Sequence, residues 1–315
     1  MGCLRILPLL LLGVAGVSGP QSRPAAEAQD ERPFEVRVNV DLVQLYATVR
    51  DAEGKFVSGL GEADFEVFED RVKQTVRLFA HEDIPVTVGL VVDHSGSMKG
   101  KLAEVTAAAR TFVRASNPED RMFVVNFNEK VSLGLPAEIR FTNRAEEMET
   151  AILNAPATGQ TALYDATVEG LQQLRNDGRD KKVLIVISDG GDNASTHRRA
   201  EVMEMAGRSD TLIYTIGIFD AEDPDRNPGV LRQFAQATGG EAYFPGELKN
   251  TVAVCEGIAR DIRNQYSLGY ISRNPAQPGA HRKIRVTASS ATLGKLRVRA
   301  RAGYISGPAE DKSSR

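Results

Sequence analysis

Hydrophobic and polar positions divide the chain into three stretches of different period. From Phe34 to Ala80 apolar residues alternate with polar ones, first Val36, Val38 and Val40, then Val43, Leu45, Ala47 and Val49, the period of half-buried strands. Asp51-Ala52-Glu53-Gly54 interrupts them as a turn, after which Phe65, Val67 and Phe68 predict a third strand and Val72 to Phe79 a fourth. Beyond Ile84 the alternation gives way to solid apolar runs. Val86 to Val92 is nearly unbroken and rich in valine, the pattern of a strand covered on both faces. Met122 to Phe127, Val183 to Ile187 and Leu212 to Ile218 repeat it, with a short run at Ala242 to Phe244. Between these runs, Lys101 to Ala115, Leu163 to Leu174, Ala200 to Arg208, Val230 to Thr238 and Leu248 to Arg263 read as helices. Gly239-Gly240 stops the fourth of them. Strand-like segments return at Gln265 to Ser272, Arg282 to Ala288 and Gly294 to Ala300.

Strands alternating with helices predict an α/β domain over residues 84–263, a doubly wound, mostly parallel sheet with right-handed crossovers. The flanks, 34–83 and 264–306, are expected to form the two halves of a β-sandwich into which the α/β domain is inserted. Arg5, the apolar run Ile6 to Val17 and Ala26-Glu27-Ala28 give residues 1–28 the form of an export signal. Its apolar run is short for a membrane span, so the mature chain is expected to be exported to the periplasm, cell surface or medium without a span; retention as an anchor is the alternative. Residues 29–33 read as a linker and 307–315 as a disordered tail.

Composition changes this picture little. Hydrophobic residues at 42%, charged residues at 26% and a net charge of -3 are globular values without the basic footprint of a nucleic-acid binder. The basic concentration from Arg282 to Arg301 alternates with apolar residues and reads as a solvated strand face. Of the two cysteines, Cys3 lies in the leader, so Cys255 is left without an intrachain partner and is expected to be a buried, inert thiol.

The candidate chemistry sits where the Val86 run stops. Asp93, Ser95 and Ser97 alternate with His94 and Gly96 just beyond a strand's carboxyl end, where open α/β sheets bind ligands. Two further segments bring oxygen donors to the same rim: Thr158-Gly159-Gln160-Thr161 ahead of the Leu163 helix, and Ser188-Asp189-Gly190 after the Val183 strand. Carboxylates and hydroxyls together suit a hard divalent cation such as Mg2+, whereas a soft metal would need cysteine or histidine clusters that are missing nearby. Among the neighbours, His94 alternates away from the serines and reads as a surface residue. Asp192 either supports the rim or belongs to its loop, Asp165 caps or braces the Leu163 helix, and Asn193-Ala194-Ser195 has the form of a glycosylation acceptor.

Asp-x-Ser-x-Ser at 93, 95 and 97, the threonine of Thr161-Ala162-Leu163-Tyr164-Asp165-Ala166 and the aspartate of Ser188-Asp189-Gly190 resemble the metal-ion-dependent adhesion site of von Willebrand factor A-type domains. The resemblance covers Ile84 to Arg263. The flanks, through Gln265-Tyr266-Ser267-Leu268-Gly269-Tyr270 and Arg301-Ala302-Gly303-Tyr304, are similar to exported bacterial proteins of an acidobacterial type that carry this domain. The resemblance implies a metal site of Asp93, Ser95, Ser97, Thr161 and Asp189, the hydroxyls binding directly or through water. It also implies Mg2+, with Mn2+ or Ca2+ as substitutes, and a protein ligand that supplies an acidic residue. An adhesion module and an envelope assembly factor would use such a site alike, and the oligomeric state stays open. The rival class is a metal-assisted hydrolase with Asp93 as nucleophile. It would want a carboxylate two positions on, where Ser95 stands, and the chain has no phosphate loop, His-Glu-x-x-His helix or Gly-x-Ser-x-Gly elbow. The chain is therefore expected to be a binder and not an enzyme.

Overall fold

The computed structural model describes residues 42–219, 225–274, 277 and 279–306. The leader, the linker, the expected strand through Val36, Val38 and Val40, and the tail 307–315 lie outside the described residues. Among the described residues no helix is long and apolar enough to cross a membrane.

The N-terminal flank supplies β1 (Leu42–Arg50), β2 (Phe65–Glu69), β3 (Val72–Gln74) and β4 (Val76–Ala80). The expected single strand from Val72 to Phe79 is therefore two. Asp70 and Arg71, both at positive φ, make a two-residue hairpin that holds β3 against β2, while β4 crosses to another sheet and pairs with β11 (Gln265–Ile271). The C-terminal flank continues with β12 (His281–Ala288), β13 (Arg297–Arg299) and β14 (Gly303–Ile305). Only its middle survives of the expected strand Gly294 to Ala300, and β14 had no sequence expectation.

These strands form two antiparallel sheets, ordered β13-β1-β11-β4 and β14-β12-β2-β3, so each sheet is built from both ends of the chain. β1 runs against β11 from Leu42↔Ile271 to Thr48↔Gln265, and β12 against β2 from Ile284↔Glu69 to Ala288↔Phe65. Leu45, Val67, Tyr266, Leu268, Tyr270 and Ile284 fill one core between them. Glu69, fully buried, is the polar tie of that core. Its carboxylate accepts from Tyr270 Oη at 2.8 Å, Ser272 Oγ at 2.7 Å, Asn274 Nδ2 at 2.8 Å and Tyr304 Oη at 3.2 Å. The terminal tyrosines of the two short flank motifs thus meet on one acid.

The central sheet contains β5 (Thr87–Asp93), β6 (Arg121–Phe127), β7 (Val131–Leu133), β8 (Lys182–Ser188), β9 (Leu212–Gly217) and β10 (Ala242–Tyr243), ordered β10-β9-β8-β5-β6-β7. All neighbours are parallel except β7, which turns back against β6. Every residue of β5 is buried, as its unbroken apolar run demands, and each Val or Leu there contributes roughly 1.5–3 kcal/mol relative to exposure. The covering helices are α1 (Leu102–Ala115), α2 (Ala145–Leu153), α3 (Leu163–Arg175), α4 (Arg199–Arg208), α5 (Pro228–Thr238) and α6 (Thr251–Arg263). α2 and β7 were not anticipated, although Ala145, Met148, Ala151 and Ile152 form a buried helical face. α5 starts on Asn227, whose side chain accepts from Val230 N, and ends at Gly239 with φ +86°, where a Cβ would stand 2.3 Å from Arg301 N.

The central sheet and the flanking sheets share a charged junction. Asp261 of α6 accepts from Thr48 Oγ1 of β1 at 2.8 Å and from Tyr214 Oη of β9 at 2.7 Å, and it pairs with Arg299 of β13. Tyr46, alternating with Leu45 and Ala47 on β1, packs into the core of the central sheet. β1 is therefore covered on both faces, although its alternating pattern predicted one wet face.

Candidate functional site

Asp93 closes β5 at the carboxyl end of the sheet and is fully buried. Its Oδ1 accepts from Ser95 N at 2.8 Å, and its Oδ2 accepts from Ser188 Oγ at 2.6 Å, Ser188 being the last residue of the neighbouring β8. Burial pushes this carboxyl up to about 6; the Ser188 and Ser95 hydrogen bonds oppose the shift and the charge of Asp189 adds to it.

Ser95 begins a short 3-10 turn, Gly96–Met98, whose Met98 is buried in the core and anchors the loop from below. The turn brings Ser95 Oγ to 3.1 Å from Ser97 Oγ, and Ser97 Oγ donates to Asp189 Oδ2 at 2.6 Å. Ser97 is exposed, whereas Ser95 and Asp189 are buried. Asp189 is itself fixed: its Oδ1 accepts from Gly191 N at 2.9 Å and its carbonyl from Asn227 N at 3.0 Å. Gly190, at φ +85°, has Asn227 O only 2.4 Å from where a Cβ would stand, so no larger residue fits between them.

The third loop is laced to both of the others. Thr158 N donates to His94 O at 2.9 Å, and Gly96 N to Gly159 O at 3.2 Å. Thr161 N donates to Asn193 Oδ1 at 2.8 Å, and Thr161 O accepts from Asn193 N at 2.9 Å and Ala194 N at 3.1 Å. Asp93, Ser95, Ser97 and Asp189 thus form one hydrogen-bonded cluster, and Thr161 joins it through its loop backbone. Thr161 is buried.

Among the neighbours, His94 differs from its sequence expectation, whereas Asp165 and Cys255 keep theirs. His94 is fully buried, not on the surface: it does alternate away from the serines, but that side faces β6, where its Nε2 lies 3.1 Å from Asn126 Oδ1. Asn126 Nδ2 donates onward to Ala151 O of α2 at 2.7 Å, and burial pushes the His94 pKa down. Asp192 and Asp165 brace α3. Asp192 Oδ1 accepts from Tyr164 N at 3.1 Å, while Asp165 accepts from Thr196 N at 2.9 Å and His197 N at 2.8 Å. Asn193 helps hold the rim, its amide oxygen accepting from Thr161 N at 2.8 Å. Cys255 is buried as expected, and burial pushes its thiol up to about 12.

Sequence reasoning missed Glu129. Its carboxylate accepts from Gln160 N at 3.1 Å and fills the space beside Gly159, where a Cβ would lie 1.7 Å from Oε2 and φ is +83°. The signal was its position two residues past Phe127, the end of β6, on the rim that carries Asp93.

Among the described residues no group of three or more His, Cys, Asp or Glu side chains stands ready for a metal. A cation on this rim rests on hydroxyls as much as on carboxylates. The donors fit a hard ion: two buried carboxylates whose charges repel, and serine oxygens within hydrogen-bond distance of one another.

Comparison with known proteins agrees with this architecture. The family model for the von Willebrand factor type A domain matches residues 87–252. An uncharacterized protein of Synechocystis sp., sll0103, is 25% identical over 173 residues, 53% of this chain and 40% of that protein, so the chain spans well under half of this curated relative. A von Willebrand factor type A structure from Catenulispora acidiphila superposes with a TM-score of 0.51 at 14% identity, covering 84% of this chain and 74% of that one. The domain of the type V pili tip protein Mfa5 from Porphyromonas gingivalis gives 0.48 at 16% identity, over 57% of this chain and 95% of that one. With a matching model over more than half of its length and the corresponding sheet observed, this chain belongs to the von Willebrand factor type A domain family.

Proposed function

We propose that this chain is an exported protein-binding module in which Asp93, Ser95, Ser97, Thr161 and Asp189 hold a divalent cation, Mg2+ or in its place Mn2+ or Ca2+, and a partner's acidic residue binds there. The observation that carries the reading is the 2.6 Å bond from Ser97 to Asp189, which joins two loops far apart in sequence at one strand-end rim. When bound, the cation supplies an electrophilic position open to an acidic oxygen. The chain's part is to keep it so: serine and threonine hydroxyls offer oxygen without charge, and Asp93 shares its charge with Ser188 and the Ser95 amide. The leader pattern supports export, and the family supports a partner that is a protein. Capture of acidic and amidated versions of one peptide library on the immobilised full chain, in Mg2+ and in EDTA, tests the reading. Retention of the acidic members in Mg2+ alone is the expected result; equal retention in EDTA would move recognition to another surface.

A further inference from the structure

A groove of about 590 Å3 lies away from the strand-end rim, between the turn that follows β1 and the exposed side of α6. Arg50, Lys55 and Phe56 form one wall, Gly257 and Arg260 the other, and Tyr243 of β10 contributes its ring. Three of the lining residues are cations and none is a carboxylate. The first wall is tied to β1, where Asp51 N donates to Lys55 O at 3.0 Å and Val57 N to Val49 O at 2.9 Å. Arg50 is held in place: its guanidinium lies 4.4 Å over the Phe56 ring, Nη1 donates to Gly54 O at 3.3 Å, and its ion pair with Glu241 is long, 3.8 Å. Lys55 and Arg260 are exposed; the Lys55 backbone N–H donates to Asp51 Oδ1 at 2.8 Å, but neither the Lys55 ammonium nor the Arg260 guanidinium has a carboxylate partner among the described residues.

Gly257 is the second observation. Glycine is unfavourable in a helix interior, yet it sits in the middle of α6 where a Cβ would meet no atom within 4 Å. Packing within the chain does not call for it, and its absent side chain keeps the groove open.

We propose that this groove binds a small amphiphilic anion, an apolar body resting on Phe56 and Tyr243 with a carboxylate or phosphate head between Arg50, Lys55 and Arg260. Its volume lies in the range of small-molecule sites, roughly 300–1,000 Å3, and guanidinium forks match both anionic heads. An extended peptide is a poorer occupant, because the sheet edge at the groove, β10, is two residues long and templates almost no backbone pairing. The site shares no residue with the strand-end rim.

Calorimetric titration of the full chain with decanoate and with decyl phosphate, both in EDTA so that the rim is silent, tests the proposal. At least one of the two is expected to bind, the tighter identifying the head, and decanol to bind at least tenfold more weakly. Arg260→Glu should weaken the anion at least tenfold. Gly257→Leu should abolish binding while leaving the melting temperature at or above that of the parent, because the helix gains from losing a glycine. No binding of either anion, decanol binding as well as they do, or variants that bind like the parent would overturn it.

Discussion

Ser97 and Asp189 lie 92 positions apart and share a hydrogen bond of 2.6 Å, Oγ to Oδ2. The serine stands on an exposed turn and the aspartate is buried at the end of β8, so the bond joins a surface loop to the sheet. Ser97→Ala removes a hydroxyl that touches the cation in the proposed site and leaves the Asp189 carboxylate short of a donor. Mg2+ affinity is expected to fall at least tenfold. Stability should fall by only about 1–3 kcal/mol, as for the loss of one hydrogen bond to a charged group. Calorimetry and urea unfolding of the same samples check both halves.

The raised Asp93 carboxyl gives a pH dependence of definite sign. Its folded value of about 6 lies above the unfolded value of ~3.9. Between these values the folded chain, free of metal, holds a proton that the unfolded chain has released. Asp93 therefore favours the folded state most at low pH, and that contribution is lost as pH rises through about 6. The loss is on the order of 2–3 kcal/mol. Asp93→Asn should remove this slope and raise neutral-pH stability in EDTA, while Mg2+ uptake by the parent should weaken below about pH 6 as protons compete. The difference between parent and variant unfolding free energies at pH 5 and pH 7.5 is the measurement.

Glu129 reaches the rim from the far side. By accepting from Gln160 N it holds the residue next to Thr161, without being one of the five proposed ligands. Glu129→Ala should cost roughly tenfold in cation affinity, as removing a group that orients a ligand does. Glu129→Gln, which keeps an oxygen for the amide, should recover most of it. Equal losses in the two variants would point instead to the charge of Glu129.

Asp261 is the corresponding point at the junction of the sheets. Asp261→Ala leaves the half-buried Arg299 with only its longer, 3.6 Å pair to Glu241 and strips Thr48 and Tyr214 of their acceptor. The expected cost is ~2–4 kcal/mol, from the two buried hydroxyls left without their charged acceptor, read by urea unfolding, whereas Mg2+ affinity at the opposite end of the sheet should stay within twofold.

What the chain discloses in advance follows from the range of the interactions. Val86 to Val92, Val183 to Ile187 and Leu212 to Ile218 are legible because a strand covered on both faces must be apolar throughout, and all three lie in the parallel sheet. The rim is legible because Asp93, Ser95 and Ser97 alternate within five residues and the other two segments also end or begin elements. Glu69, Asp261 and Glu129 are not legible. Each is a charged residue in an ordinary strand-end, helix or turn setting, and only partners contributed by other elements give it a role. His94 illustrates the same limit: alternation gives its direction but not that β6 covers that side. α2 is a different kind of miss, since the spacing of Ala145, Met148, Ala151 and Ile152 was present to be read.

The most direct test of the central claim is a titration of the metal-free full chain with Mn2+, followed by calorimetry, beside Asp189→Ala and Thr161→Val. The parent should take up a single equivalent with affinity that Mg2+ competes away, and both variants should lose that uptake with their unfolding transitions preserved. Uptake by the variants equal to that of the parent, or none by the parent, would contradict it.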